Sequence, residues 1–299
     1  MLKRLKNSLI YYSVAPAVWL LARLPLKLAL FLGPTLGRLA LLLAGRERRR
    51  AEANLRHACP DLTEDQRQAM VAKVFLGLGQ SAMECAAMNH LRTRLGGPNS
   101  PVEFSPGSLE TLQAAVEQGN GVLFATAHLG NWELLGAEVA RHAPLSVLFK
   151  PSYDPRFTRL MTRFRGRSGV ASIDVTRTAH VTSVMRTLRG GGVVGVLVDQ
   201  PAPGADVPFF DRQAPTSTLV PALAQRTGAA VVAGFIRRTG RRHTISIKRV
   251  DLPTEDIERA TGLLTTEVER AVRQDPAQWV WTLDRWRKDR ARVLQVAYQ

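Results

Sequence analysis

Gly121 to Gly136 reads GVLFATAHLGNWELLG. The first part, Gly121 to Thr126, is a short apolar run with Val and Phe, the composition of a buried strand. It stops at Ala127-His128-Leu129-Gly130. From Asn131 the spacing turns helical, with Trp132, Leu135 and Val139 on one side and Glu133 and Glu138 elsewhere. A strand that hands a histidine to a tight turn at a helix N-terminus makes a reactive site. The strand end holds the backbone, Gly130 permits close approach, and the first N–H groups of the helix offer positive potential to a developing oxyanion. On one regular helix the side chains of His128 and Glu133 would diverge by more than a right angle. The pair can meet only with His128 before the helix and Glu133 in its first turn.

Outward from this stretch, strands and helices alternate. Residues 145–149, 170–174, 193–198, 230–236 and 243–250 read as strands, and 154–164, 182–188, 216–225 and 255–273 as helices. The alternation predicts an α/β fold, with a mostly parallel sheet covered by helices on both faces. In open sheets of this kind, sites gather at the carboxyl ends of strands. That singles out Asp199, which closes the run Val193-Val194-Gly195-Val196-Leu197-Val198, alongside His128.

Upstream, 108–118 is expected to be helical, 92–107 is rich in Gly and Pro, and 55–91 reads as two helices. Pro60 and the segment 61–65 punctuate those two, with Thr63 as an N-cap. Residues 45–54 (GRERRRAEAN) form a basic boundary. The N-terminus carries two apolar runs, 9–22 and 28–44, separated by Arg23-Leu24-Pro25-Leu26-Lys27. Neither reaches the roughly 20 uninterrupted apolar residues of a confident transmembrane helix. The expectation is one or two helices lying in the interface, their flanking cations on anionic headgroups. A tilted span and a buried helical hairpin are the alternatives. The expected division is a membrane anchor over 1–44 and a catalytic domain over 45–299, made of a helical lead-in (45–118) and an α/β core (119–299).

The 299 residues carry 41 Lys+Arg against 25 Asp+Glu, a net charge of +16. Such a balance implies an acidic partner: nucleic acid, an anionic bilayer, a phosphorylated lipid or an acidic carrier protein. Two cysteines, Cys59 and Cys85, make neither a disulfide framework nor a metal-ligand pattern, and no bound metal or cofactor is expected. Nucleic acid fits poorly, because the basic residues are spread along the chain and no recognised module accompanies them. The turn Arg237-Arg238-Thr239-Gly240-Arg241-Arg242, with the net charge, is what suggests it.

His-x-x-x-x-acid on a strand–turn–helix resembles the motif of glycerolipid acyltransferases. The fuller string His128-Leu129-Gly130-Asn131-Trp132-Glu133 resembles the bacterial lipid A biosynthesis (late) acyltransferases. Further likenesses lie in Val207-Pro208-Phe209-Phe210 with Ala214-Pro215-Thr216-Ser217-Thr218, and in the closing segment Pro276 to Arg287. Leu283 departs from the histidine that the family usually carries there. The resemblance runs from the basic lead-in to Arg287. It implies a fatty acyl group moved from an acyl carrier protein or coenzyme A thioester to a lipid, at the cytoplasmic face of the inner membrane. The majority acceptor is a lipid A precursor; a lysophospholipid, an aminolipid or another glycolipid would use the same machinery. The resemblance also implies that an acid at Asp199 borders the site and that a functional arginine lies in 156–169, at Arg165 or Arg167.

In that reading His128 is the general base, and Glu133 or Asp199 orients it. Asp199, from a separate strand end, is the expected partner, with Glu133 shaping the acceptor or oxyanion region. Backbone N–H groups at Gly130 and Asn131, with Arg165 or Arg167, would hold the oxyanion. Phe209 and Phe210 would line an acyl groove, or else sit in the core. Ser81 lies in Gly79-Gln80-Ser81-Ala82-Met83, which lacks the spacing of a nucleophile elbow, so direct transfer is expected over an acyl-enzyme. A catalytically silent membrane-surface protein on the same fold is a rival that the intact His128 and Glu133 argue against.

Overall fold

The computed structural model describes residues 23–152 and 154–287, together with Tyr12, Leu20 and Leu21. The apolar run over 9–22 lies almost wholly outside them. Strand β2 (Val122–Thr126) is buried at every position and forms the middle of a seven-stranded sheet. In chain order the other strands are β1 (Val102–Phe104), β3 (Leu145–Phe149), β4 (Val170–Asp174), β5 (Val193–Leu197), β8 (Ala230–Thr239) and β9 (Arg242–Arg249). Their spatial order is β1-β9-β8-β2-β5-β3-β4. Every pairing is parallel except the β8–β9 hairpin. A second, two-stranded antiparallel sheet is made by β6 (Ala205–Phe209) and β7 (Arg212–Thr216).

Helices cover both faces, as parallel strands buried on both sides require. They are α2 (Gly45–Ala58), α3 (Glu64–Ala86), α4 (Met88–Arg92), α5 (Ser108–Glu117), α6 (Trp132–Val139), α7 (Pro155–Arg167), α8 (His180–Arg189), α9 (Leu219–Thr227) and α10 (Ile257–Gln274), preceded by α1 (Leu26–Leu43). Alternation along β2 divides the core. Leu123 and Ala125 face one apolar cluster with Trp279, Trp281, Trp286, Phe209 and Phe210, whereas Val122 and Phe124 face another with Leu134, Leu135, Val139 and Val170.

The basic segment 45–54 makes up most of α2, whose Ala51 and Leu55 are fully buried under the charged face. Residues 205–216 form a hairpin, so the helix expected from 216 begins instead at Leu219. Pro208 and Pro215 within those strands hid them, because proline weakens any strand reading. The hairpin turns on Phe210 and Asp211, both at positive φ (50° and 59°), a conformation usually left to Asn and Gly. Thr63 caps α3 as expected, in a reciprocal capping box with Gln66.

Helix α1 is 18 residues long and apolar enough by length and composition to cross a membrane. Its buried residues, Ala29, Gly33 and Gly37, make one narrow face. That face lies on α3 at backbone distance: a Cβ on Gly37 would come within 2.7 Å of Leu76 Cα, and one on Gly79 within 2.7 Å of Gly37 Cα. The outer face is open, with Phe31, Leu42 and Leu43 about three-quarters exposed (74%, 75% and 76%).

Candidate active site

Parallel register brings the first two residues of the site together. Thr126 at the end of β2 is paired with Leu197 at the end of β5, so His128 and Asp199 each lie two residues beyond the same rung. The Asp199 carboxylate lies 2.9 Å from His128 Nδ1 through Oδ1, and its Oδ2 accepts the His128 backbone N–H at 2.8 Å. Oδ2 also accepts the indole N–H of Trp279 at 2.8 Å. Asp199 is fully buried (1% exposed), and three donors satisfy an anion that burial alone would neutralise.

A carboxylate can only accept, so His128 Nδ1 carries the proton and Nε2 presents its lone pair. The Gln200 side-chain amide lies 3.4 Å from Nε2, on the exposed side. The edge of the His128 ring meets Trp132 at a centroid distance of 4.9 Å. Burial would lower the imidazole's pKa, but the Asp199 charge and hydrogen bond outweigh it, with Glu133 assisting, and the pKa lies above the ordinary value. Conversely, burial would raise the Asp199 pKa, and the contacts with His128 and Trp279 hold it below the usual carboxylate range.

Glu133 sits in the first turn of α6, as expected, but its hydrogen-bonding partner is Arg165 of α7. Oε1 and Oε2 accept Nη2 and Nε at 2.6 and 3.0 Å. Both side chains are mostly buried, and the bidentate pairing raises the Arg165 pKa against the pull of desolvation. Arg167, two residues on, is exposed. Of the two candidate arginines, Arg165 is the one that reaches Glu133.

The Glu133–Arg165 pair lies on the wall of an apolar cavity of about 50 Å³. Phe124, Trp132, Gly136, Val147 and Gly195 complete much of that wall. Phe209 and Phe210 are not there. They are buried across the sheet, packed edge-on with centroids 4.9 Å apart and against Trp279 and Trp281. The expected acyl groove at these two residues is thus a core aromatic cluster, and the cavity is on the opposite face, where Phe124 points.

The turn is also tied to the elements on either side of it. His128 O accepts Val280 N at 3.1 Å, Gly130 N donates to Gln278 O at 3.0 Å, and Gly130 O accepts Ser81 Oγ at 3.3 Å. Gly130 has φ +60°, and a Cβ there would run into the Ile236 carbonyl oxygen. Its N–H, expected at the oxyanion, is therefore committed to Gln278. The Asn131 side chain is also committed, its Oδ1 accepting Leu134 N at 3.1 Å as the α6 N-cap. The first intrahelical bond runs from Leu135 N to Asn131 O, so the amides of Trp132 and Glu133 precede it and have no acceptor within the helix.

Trp279, Ser81, Glu84, Arg238 and His243 carry no signal at motif level, because long-range contacts alone place them here. Arg238 belongs to the turn that suggested nucleic acid, yet it points inward to Glu84. Cys85 is half-buried beside Asn131, and desolvation first, then the Glu133 and Glu84 charges, push its thiol pKa up, so it offers no thiolate.

The model of a family described as bacterial lipid A biosynthesis acyltransferase matches residues 2–288. Among individual proteins, the chain is 26% identical to the lipid A biosynthesis lauroyltransferase of Escherichia coli (strain K12), over 88% of this chain and 87% of that one. It is 25% identical to the lipid A biosynthesis palmitoleoyltransferase of the same strain, over 88% and 86% of the two chains. A lipid A biosynthesis acyltransferase of Haemophilus influenzae is 27% identical, over 82% and 78%.

Proposed function

The chain belongs to the bacterial lipid A biosynthesis acyltransferase family, and from that premise we propose that it acylates a lipid A precursor from an acyl thioester, with His128 as general base. The observation that carries this reading is the buried Asp199 fixing Nδ1–H of His128, which leaves the lone pair on Nε2, near the Gln200 amide, to take a proton. As the acceptor hydroxyl oxygen attacks the thioester carbonyl, its proton passes to Nε2. The imidazolium so formed is stabilised by Asp199. Collapse of the tetrahedral intermediate breaks the C–S bond, and the departing thiolate takes that proton back. A positioned base of this kind contributes about 10²–10⁴-fold.

The oxyanion falls to the free first-turn amides of α6 and to Arg165, which Glu133 holds by two hydrogen bonds. The acyl chain enters the apolar cavity beside that pair. At about 50 Å³ the cavity holds a few water molecules at most, so its walls part around the chain. The exposed face of α1 lies in the cytoplasmic leaflet of the inner membrane, and the basic surface serves an acyl carrier protein or coenzyme A as donor and the phosphorylated acceptor.

The test is incubation of the detergent-solubilised chain with acyl-carrier and acyl-coenzyme A donors against a lipid A precursor, a lysophospholipid and an aminolipid, read by mass spectrometry. The expected result is one added acyl chain on the lipid A precursor. Exclusive acylation of another lipid would overturn the acceptor.

A further inference from the structure

Glu84 is buried (4% exposed) on α3, a helix outside the central sheet, and four donor atoms converge on its carboxylate. Arg238 contributes Nη1 and Nη2, the latter at 2.9 Å to Oε2. His243 Nε2 lies 3.0 Å from Oε1, and Asn131 Nδ2 donates to Oε2 at 2.8 Å. One turn earlier on the same helix, Ser81 donates to Gly130 O and accepts Arg238 Nη2 at 3.0 Å. The carboxylate fixes each neighbour. It forces the Asn131 amide to present nitrogen, which turns Oδ1 to the Leu134 N–H, and it sets the proton of His243 on Nε2. The Arg238 guanidinium supplies the charge opposite to Glu84, so the buried carboxylate is paired as well as hydrogen-bonded.

What the cluster grips is the catalytic turn. Asn131 and Gly130 follow His128 within three residues, and the other side of the turn is already tied to Gln278 and Val280. The two grips are themselves joined, since Arg238 N donates to Gln278 Oε1 at 2.7 Å and Gln278 Nε2 to Arg238 O at 2.9 Å. A turn held on one side can rock about that hinge, whereas one held on both cannot, and a base misplaced by an ångström loses much of its rate.

We propose that Glu84, with Ser81, Arg238 and His243, is a positioning cluster by which α3 clamps the turn through Asn131 and Gly130 and so keeps His128 in register with Asp199. The proposal rests on His128 being the base. The charged groups around that ring are Asp199, Glu133 on α6 and Arg165 on α7, with Arg285 acting on Asp199 from behind. None of them belongs to the cluster, so its effect on His128 is carried by geometry.

The experiment compares the full-length chain in detergent with Glu84→Gln, Ser81→Ala and Asn131→Ser. The last variant keeps an N-cap oxygen for α6 and removes only the amide that reaches Glu84. Three readouts are taken: turnover and KM, thermal midpoint, and the His128 titration by NMR of labelled imidazoles, assigned by its loss in His128→Ala. Asn131→Ser and Ser81→Ala should stay folded, lower turnover about ten-fold or more with KM little changed, and move the His128 titration to lower pH. Glu84→Gln should do so more strongly, or else fail to fold because Arg238 is left unpaired. Native turnover and a native His128 titration in the first two variants would overturn the clamp. Undiminished transfer by His128→Ala would instead overturn the reading of the reaction, while the NMR titration would still judge the clamp.

Discussion

Asp199 accepts three hydrogen bonds, two from His128 (ring and backbone) and one from the Trp279 indole far along the chain. Asn at this position would offer its NH2 group to one of those donors and lose the charge that stabilises the imidazolium. Asp199→Asn should therefore lower turnover by about 10²–10⁴-fold. The sign of the pH effect also follows. Asp199 raises the His128 pKa, and in the proposed reaction the neutral ring is the base, so activity in the native chain should rise with pH through a value above that of ordinary imidazole. Without the carboxylate that limb moves to lower pH while the plateau falls, which a pH–rate profile of both proteins checks. Arg165 presents another residue-scale case. Lysine keeps the charge but not the two-pronged contact with Glu133, so Arg165→Lys should cost about ten- to a hundred-fold in turnover. A variant within two-fold of native would remove Arg165 from the oxyanion site.

At the scale of elements, α1 has two faces with separate duties. The inner face is a glycine seam on α3, close to the residues that grip the catalytic turn, and the outer face is leucine and phenylalanine left open to solvent. Phe31→Asp with Leu42→Asp should leave the thermal midpoint unchanged and reduce binding to anionic vesicles about ten-fold or more, since each buried apolar side chain contributes about 1.5–3 kcal/mol. Gly37→Leu should do the reverse, lowering the midpoint while leaving the outer face intact, because its side chain has nowhere to go against the Phe75–Leu76 backbone. Equal vesicle binding by the doubly charged variant would refute the anchor. Removal of 1–44 is a poorer test, because it strips α3 of its packing partner. The same elements show what was legible from residue order. Strands β2, β3, β4 and β5 announce themselves as apolar runs bounded by Gly, Pro or polar residues, and the register of β2 with β5 then carries His128 to Asp199. Strands β6 and β7 were hidden by their prolines, and β1 by its three-residue length and the Gly and Pro around it. Glu133 was found, but its partner was not. An Arg on another helix is chosen by how α6 and α7 lie on the sheet, which no local pattern records. Phe209 and Phe210 read equally as groove or core because aromatic residues near a site look alike from sequence, and only the alternation of the sheet separates the two faces.

The whole molecule combines an interior of buried, partnered carboxylates with a strongly basic exterior and one apolar helix face. Glu84 is held down to about 2 by His243 and Arg238 against the raising effect of burial, and Glu133 and Asp199 have cationic or donor partners of their own. The excess of +16 is left largely for the surface, where in the proposed reaction it would draw anionic donors and lipids, an attraction that salt weakens. Binding to anionic vesicles should accordingly fall as salt is raised from about 0.05 to 0.5 M, with a remnant due to α1. The account as a whole turns on one residue at the end of β2. The direct measurement is acyl transfer from an acyl-carrier thioester to a lipid A precursor held in vesicles, by the native chain and by His128→Ala, with acceptor mass followed over time and folding checked by thermal midpoint. The account predicts one acyl chain gained by the acceptor with the native chain and a loss of about 10²-fold or more in the variant at an unchanged midpoint. A folded His128→Ala protein that keeps a tenth of native turnover would contradict it.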